Sequence, residues 1–208
     1  MKKLTVCYQV IALCLLGFYL SACGQLMQPS LKQELVEIKP GNYSLDPQHT
    51  SVLFKVNHMG LSTFVGRFNR FDASLQYNPE DIMQSRLQAV IEMDSVDVNN
   101  EKFERALKGK FWFNAVEYPQ ASFTTQSAER INDKQVKFTG LLNFLGVEKP
   151  IDLIVTFNGA GNNLLTGKYT LGFAATTSFK RSEFGLDQYI PAVGDEIVVE
   201  THAEFQRN

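Results

Sequence analysis

Residues 52–58 read Val-Leu-Phe-Lys-Val-Asn-His and carry the clearest twofold alternation in the chain. In an extended strand, successive side chains point to opposite faces. Three apolar residues and His58 therefore share one face, whereas Lys55 and Asn57 lie on the other. Such alternation is typical of a strand that covers a core on one side only.

The same alternation recurs along the rest of the chain. The further runs cover residues 71–77, 87–93, 121–123, 136–144, 151–157, 171–179 and 197–205. Turn-forming pairs such as Asn78-Pro79 and Asn158-Gly159 separate them. About eight short alternating strands with turns between them predict an all-β fold, either an antiparallel barrel or a sandwich.

One segment, residues 100–112, follows a helical period instead, with apolar side chains at positions 103, 106 and 107. An asparagine at position 99 or 100 is suited to cap its first turn. We therefore predict a short helix here, placed so that it closes one end of a barrel.

The interior of such a barrel is expected to be rich in aromatic rings. The chain has 16 phenylalanines, of which only Phe18 precedes residue 23, and His58 is the clearest polar member of the inward faces. At about eight strands a barrel is either filled by side chains or wide enough for one small ligand. Because the same residue types build a dry core and a tunnel lining, the pattern leaves both possibilities open.

The N-terminus has the pattern of an export signal. Lys2 and Lys3 precede an apolar run from Val10 to Leu20, which is too short to span a membrane as a helix. The sequence Leu20-Ser21-Ala22-Cys23 then resembles the lipobox of bacterial lipoproteins. We predict a signal peptide over residues 1–22 and lipidation of Cys23; the alternative is a plain secretory signal with an incidental cysteine.

The stretch that follows is polar, mixed and without a sustained period, so residues 23–41 are predicted to form the lipidated N-terminus and a tether. Residues 42–208 would form the folded domain. Gly24, in place of an aspartate, favours the outer membrane if the cell is Gram-negative, because the lipoprotein resemblance implies this sorting rule. The expected location is thus the cell envelope, with the protein facing the periplasm.

Charge and composition exclude several classes of function. Beyond residue 22 the chain has 18 basic and 22 acidic side chains, which argues against a nucleic-acid partner. All three cysteines lie within the first 23 residues, and the three histidines, His49, His58 and His202, lack the local spacing of a zinc site. The body has no Gly-x-Ser-x-Gly motif. We therefore expect no catalytic residue, no metal and no cofactor.

Several motifs in the body resemble those of the YceI-like family, which comprises bacterial periplasmic polyisoprenoid-binding proteins with a lipocalin-like fold. The run Phe54-Lys55-Val56-Asn57-His58-Met59-Gly60-Leu61-Ser62 is followed by Gly66-Arg67-Phe68, as in that family. Further matches in the expected order are Tyr43 with Asp46 and His49, Tyr118-Pro119 with Phe123, Gly140-Leu141, Gly146-Val147-Glu148-Lys149-Pro150, Arg181-Ser182-Glu183-Phe184-Gly185 and Val193-Gly194-Asp195-Glu196. The resemblance covers residues 42–206.

The resemblance implies an eight-stranded antiparallel, lipocalin-like barrel whose apolar tunnel takes an isoprenoid or other long apolar lipid. Burial of each CH₂ contributes about 0.8 kcal/mol, so a long chain can bind without hydrogen bonds. The residues expected to contact the ligand are Phe54, Val56, His58, Phe71, Leu75, Leu87, Ala89, Ile91, Phe123, Phe138, Leu142, Phe144, Leu153, Val155, Phe157, Leu171, Phe173, Arg181 and Phe184.

Two polar candidates have a structural alternative. His58 either contacts a ligand headgroup or is a hydrogen-bonded histidine at the barrel mouth or in the interior. Arg181 and Ser182 either orient a phosphate or quinone oxygen, or Arg181 forms an ion pair that fixes the loop after the seventh strand.

The sequence departs from the family pattern at Ala106, where many members have histidine, and at Leu145, where they have arginine or histidine. If those groups contact a headgroup in relatives, the ligand here differs; if they are surface or capping groups, nothing changes. The alternative to lipid binding is a filled barrel that serves as an envelope stress or scaffold lipoprotein through its surface, for which the sequence marks no protein partner.

Overall fold

The computed structural model describes residues 30–208, so the predicted signal peptide and Cys23 lie outside the described residues. Ten strands make up most of this part of the chain. They are β1 (Gly41–His58), β2 (Ser62–Phe68), β3 (Phe71–Tyr77), β4 (Arg86–Glu92), β5 (Val96–Asp97), β6 (Gln120–Arg130), β7 (Gln135–Phe144), β8 (Val147–Asn162), β9 (Tyr169–Lys180) and β10 (Val193–Arg207). Within residues 30–208, no helix reaches the length and apolarity needed to cross a bilayer.

The strands close into an antiparallel barrel of eight. Around the ring the order is β1, β3, β4, β6, β7, β8, β9 and β10, and β10 pairs back onto β1. Strand β1 closes the barrel because it is long enough to pair with β10 from Tyr43 to His58. On its other edge it pairs first with β3 and then with β2, and β2 in turn pairs with the short β5. The predicted all-β, eight-stranded antiparallel barrel is confirmed.

The predicted helix is also present. Helix α1 (Glu101–Lys108) begins where the side chain of Asn100 accepts a hydrogen bond from the main-chain N–H of Phe103, which is a standard N-cap. Its apolar stripe contributes Leu107, which is 3% exposed, to the core. Four 3₁₀ turns complete the described elements, at Leu35–Glu37, Ile82–Gln84, Met93–Ser95 and Arg181–Phe184.

Two apolar clusters divide the barrel along its length. The first contains Tyr43, Leu75, Val136 and Phe205 and is sealed by the N-terminal segment. The second contains Phe54, Leu107, Phe113 and Phe184 and lies below α1. The barrel therefore has two chemically similar halves whose ends are built differently.

The tether prediction is wrong for residues 32–38. Lys32 forms an antiparallel bridge with Ala160, and the N–H of Leu35 donates to the carbonyl of Asp133 at 2.9 Å. Leu35 and Ile38 are only 1% and 2% exposed. These residues form part of the barrel rather than a spacer, because main-chain hydrogen bonds to Ala160 and Asp133 and the burial of two apolar side chains act together to hold them there.

Candidate ligand-binding site

A cavity of about 390 Å³ runs through the interior and reaches both clusters. This volume falls within the range of roughly 300–1,000 Å³ typical of small-molecule sites. Its lining is almost entirely aromatic and aliphatic and includes residues from both clusters, from Leu35 at one end to Tyr189 at the other. The barrel thus encloses an elongated apolar space rather than a fully packed core.

The cavity is closed at one end and open at the other. At the closed end the lining residues Leu35, Tyr77 and Val136 are each 3% exposed or less. At the open end, which we call the mouth, the lining includes exposed His58 and Tyr189, and Tyr189 is 70% exposed. An apolar ligand would therefore enter past α1 and extend toward Leu35.

Two glycines let phenylalanine rings pack closely against the barrel wall. Phe54 of β1 pairs with Gly66 of β2, and a Cβ on Gly66 would clash with the Phe54 ring. Phe123 of β6 covers Gly140 of β7 in the same way, since a Cβ there would lie 2.6 Å from the ring. Because glycine leaves this space free, both rings can lie close to the neighbouring strand.

Most of the predicted ligand-contacting residues line this cavity. The residues that do so are Phe54, Val56, His58, Phe71, Leu75, Leu87, Ala89, Ile91, Phe123, Phe138, Leu142, Phe144, Leu153, Val155, Phe173 and Arg181. Phe157, Leu171 and Phe184 are not part of the lining. They are buried at 2%, 0% and 2% exposure and pack within the two clusters, behind the rings that face the lumen.

Sequence reasoning missed several lining residues. Leu35 comes from the segment predicted as a tether, and Phe64 and Phe68 come from β2, whose alternation Gly66 interrupts. Phe103 and Trp112 come from α1 and the loop after it, and Tyr189 from the loop before β10. The helical period at residues 103–107 could have identified the helix as part of the lining, because an amphipathic helix at the end of a barrel places its apolar face over the barrel interior.

The mouth holds the two predicted polar candidates in different settings. His58 ends β1 opposite Val193 and is exposed, with its side chain on the opening of the cavity. Arg181 is 1% exposed. Its Nε donates to the carbonyl of Gly194 at 2.8 Å and its Nη1 to that of Leu186 at 2.7 Å.

Arg181 fastens the loop that forms one wall of the mouth. Its Nη2 donates to the carbonyls of Gln188 and Val193 at 2.8 and 2.9 Å, so four of its five N–H groups are committed to the main chain. Burial lowers the pKa of this guanidinium, and the carboxylates of Asp195 and Asp187 oppose that shift. The predicted ion pair is thus replaced by a cage of carbonyls, because the loop curls around the side chain.

Ser182 and Asp195 form a separate pair beside this cage. The N–H and hydroxyl of Ser182 donate to the Asp195 carboxylate at 2.9 and 2.8 Å. The main-chain bond is the largest cause of the lowered pKa of Asp195. Ser182 is therefore occupied in holding the turn Arg181–Phe184 against β10.

The closed end is held by tyrosine hydroxyls. Tyr77 donates to the carbonyl of Leu35 at 3.0 Å, and Tyr43 donates to that of Lys39. Burial raises the pKa of Tyr77 to about 12 and raises that of Tyr43 further. Both phenols thus keep their protons, and their hydrogen bonds to the N-terminal segment, over the physiological pH range.

Asp46, His49 and Glu204 are close enough to hold a metal ion, with one ligand atom from each within 4.8 Å of the others. The Asp46 carboxylate already accepts from the main-chain N–H of Gln48, from the side chain of Gln206 at 2.8 Å, and contacts His49 Nδ1 at 3.0 Å. These bonds stabilise the bulge between Asp46 and Thr50 of β1, and this structural role accounts for the arrangement.

The two departures from the family pattern lie away from the cavity lining. Ala106 is exposed on α1. Leu145 occupies the turn between β7 and β8 with a φ of 53° and packs against the second cluster. Neither side chain is among those that line the cavity.

Comparison with known proteins places these features in a family. The YceI-like domain pattern matches residues 43–205. A UPF0312 protein of Vibrio cholerae is 30% identical over 165 residues, which cover 78% of this chain and 86% of that protein. Burkholderia cenocepacia BcnA has a similar crystal structure, with a TM-score of 0.70 and 24% identity over 77% of this chain and 98% of that chain.

A second solved structure has the same fold at lower identity. It is a polyisoprenoid binding domain from Saccharophagus degradans that is implicated in plant cell wall breakdown, with a TM-score of 0.61 and 15% identity. The similarity covers 82% of this chain and all of that domain. Because the domain pattern extends over nearly the whole barrel, the chain belongs to the YceI-like family.

Proposed function

We propose that this protein binds and carries a long-chain isoprenoid lipid, such as a prenyl quinone or a polyprenyl compound, without chemically changing it. The observation that carries the proposal is the elongated cavity, whose lining is almost entirely apolar and which opens at the mouth. A flexible prenyl chain matches this shape, and its burial contributes about 0.8 kcal/mol per CH₂. The polyisoprenoid binding domain of the same fold supports this choice of ligand class.

The polar groups near the mouth are consistent with carriage rather than catalysis. Arg181 and Ser182 are both bound to other parts of the protein, as described above. His58 remains on the opening and is the side chain best placed to contact a headgroup. We therefore assign the affinity to the chain and a secondary, orienting role to His58.

We further propose that Cys23 is acylated after removal of residues 1–22 and holds the protein in the bacterial cell envelope, facing the periplasm. The support for this part is the lipobox-like sequence Leu20-Ser21-Ala22-Cys23 and the charged start at Lys2 and Lys3. Gly24 favours the outer membrane if the cell is Gram-negative. Metabolic labelling with a fatty acid tests the acylation directly: the wild type should take up the label, and C23S should not.

Lipid binding can be tested with a form that begins at Gly24 and so contains the whole described barrel. We expect native mass spectrometry of protein purified without detergent to show bound lipid, and organic extraction to release a prenyl compound. Ala175 lines the cavity, whereas its neighbour Ala174 does not. A175W should therefore displace the lipid, and A174W should keep it.

The result that contradicts this proposal is equally specific. If the wild type is free of ligand and stays so after incubation with prenyl quinones and polyprenyl phosphates, the carrier function is wrong. The same holds if A175W and A174W retain equal amounts of the prenyl compound, since the lipid would then lie outside the cavity.

A further inference from the structure

A set of exposed apolar side chains surrounds the mouth. Met59 and Leu61 lie in the turn between β1 and β2, Phe111 in the loop after α1, and Tyr189 and Ile190 in the loop before β10. We call these five residues the apolar rim. Leu61 is 83% exposed and Phe111 is 81% exposed. Such large side chains are normally covered when they cluster, so their exposure here requires an explanation.

The three loops of the rim are joined by direct contacts. The N–H of Met59 donates to the carbonyl of Ala192 at 2.7 Å, which links the β1–β2 turn to the loop before β10. The ring of Tyr189 stacks on Trp112 at 6.0 Å, which links that loop to the one after α1. The rim is therefore one continuous surface.

The circle closes through the rings beneath the rim. Trp112 packs edge-on against Phe103 at 6.2 Å, and Phe103 packs against Phe64 at 5.8 Å. Phe64 lies on β2, just after the turn that carries Leu61. All three rings also line the cavity. The apolar surface of the rim thus continues without a break into the apolar lumen.

The segment that carries Phe111 has an excess of positive charge. Residues 101–111 contain four basic and two acidic side chains. Of the four cations, Arg105 pairs with Glu101, and the other three have no ion-pair partner within residues 30–208. The carboxylate of Glu104 accepts from the N–H groups of Val98 and Asn100. Lys110, immediately before Phe111, is exposed and has no ion-pair partner among the described residues, whereas Lys108 lies beside Asp94, Asp97, Glu101 and Glu104. Lys110 is therefore the cation placed to meet an anionic surface.

We propose that the apolar rim docks onto a lipid bilayer that contains anionic lipids, so that the cavity opens into the membrane rather than into water. The choice of a bilayer as partner rests on the proposed function, because a prenyl lipid that leaves through water would expose its whole chain. Exposed apolar side chains next to a basic residue can bind a membrane interface, since the apolar groups are buried among the lipids and the cation is attracted to anionic headgroups. Each cation near an anionic surface adds to the attraction.

The rim can be tested by sedimentation with sucrose-loaded vesicles of phosphatidylethanolamine and phosphatidylglycerol at 3:1. The form that begins at Gly24 is used, so that no acyl anchor contributes. We expect the wild type to sediment with the vesicles. The partition coefficient of the double variant L61S/F111S should be lower by roughly tenfold or more. L165S is the matched control, because Leu165 is 89% exposed in the loop between β8 and β9, at the closed end.

The outcomes separate this inference from the proposed function. If L61S/F111S loses vesicle binding but still carries a prenyl lipid from the host cell, both proposals hold. If the wild type binds vesicles through the rim but never carries a lipid, docking holds and the carrier function is wrong.

The inference is overturned if the wild type does not sediment, or if L61S/F111S and L165S bind vesicles equally. It is also overturned if L61S/F111S leaves vesicle binding intact but abolishes cross-linking to an envelope protein, because the rim would then be a protein interface. Since the two substituted side chains are exposed, the folded state should be unaffected, and equal melting temperatures check this.

Discussion

Arg181 is the buried charge on which the shape of the mouth depends. A cation at 1% exposure would be costly without partners, and here its partners are the carbonyls of the loop it supports. Because at most one N–H remains free, the side chain has little capacity left for a headgroup. We interpret its place in the motif Arg181-Ser182-Glu183-Phe184-Gly185 as architectural, and this interpretation can be tested.

We predict that R181K lowers the free energy of unfolding by about 2–4 kcal/mol. Lysine keeps the charge but cannot reach all four carbonyls with one ammonium, and each buried carbonyl left unpaired costs about 1–3 kcal/mol. Chemical denaturation measures the change, with R105K on the exposed face of α1 as the control, expected within about 0.5 kcal/mol of wild type. If R181K is as stable as wild type but loses bound lipid, Arg181 is a ligand contact instead.

The Asp46–His49 pair makes stability depend on pH. The hydrogen bond between the two side chains raises the pKa of His49 above its ordinary value of 6.5. The same bond lowers the pKa of Asp46 below its ordinary value of 3.8. The His49 contribution is therefore fully present below about pH 6.5 and is lost as the pH rises through the folded value. The Asp46 contribution is present above about pH 3.8 and is lost as the pH falls.

We predict that H49Q lowers the melting temperature more at pH 5.5 than at pH 8.5. The effect should stay below about 1 kcal/mol, because the His49 side chain is 56% exposed and solvent screens the pair. Q48A is the control, because Gln48 is exposed on the same bulge and its side chain carries no charge, so the difference between the two pH values should stay as in wild type. Equal destabilisation by H49Q at both pH values would show that the charge on His49 does not contribute.

The N-terminal segment 32–38 is a structural part of the barrel. It adds Leu35 to the cavity lining and closes the end away from the mouth. Its hydrogen bonds go to residues far along the chain, from Leu35 to Asp133 and from Tyr77 to Leu35. The segment therefore sets the depth to which a ligand can extend.

We predict that L35A lowers the free energy of unfolding by about 2–4 kcal/mol, since it removes a fully buried side chain and leaves a void. V36A is the matched control, because Val36 is the next residue and is 57% exposed. Denaturant titration of both variants decides the matter. If L35A and V36A are equally stable, the segment does not seal the barrel in solution.

The sequence predicted the elements whose burial follows a local period. The alternating runs became strands, and the helical spacing around Phe103 and Leu107 became α1. The segment around Leu35 was missed because its burial depends on distant partners and leaves no period in seven residues. Strand β2 was missed because its inward position 66 is a glycine, whose role appears only once the Phe54 ring is placed over it.

The residues of the candidate site, like the elements of the fold, were predictable where their burial follows the alternation of a strand. The twofold alternation identified most of the lining, since every second residue of a strand in a closed barrel faces either the lumen or the core. It could not separate the two, so Phe157 and Leu171 were predicted as ligand contacts although they pack behind the lumen. For Arg181 the alternative in which it fixes the loop was predicted, but its partners were not, because main-chain carbonyls that surround a side chain leave no pattern in the sequence.

The two ends of the barrel give the protein a direction. Strand β1 runs from the closed end at Gly41 to the mouth at His58, and its 18 residues correspond to roughly 40 Å along the barrel axis after tilt. Ser30, the first described residue, is at the closed end and is seven positions after Cys23 in the sequence, so the two can be at most about 25 Å apart. With the proposed acyl anchor at Cys23, an upright barrel therefore presents its rim away from the membrane that holds the anchor.

We predict, from the anchor and the rim together, that the acylated protein bridges two membranes. Vesicles carrying it should cluster with protein-free vesicles that contain phosphatidylglycerol, and light scattering should rise with time. The acylated L61S/F111S variant should stay anchored without clustering, and the form that begins at Gly24 should bind without clustering, because each lacks one of the two contacts. If the acylated wild type leaves the vesicles dispersed while the form that begins at Gly24 still binds them, the rim and the acyl anchor contact the same membrane. The barrel would then lie on its side rather than stand between two bilayers.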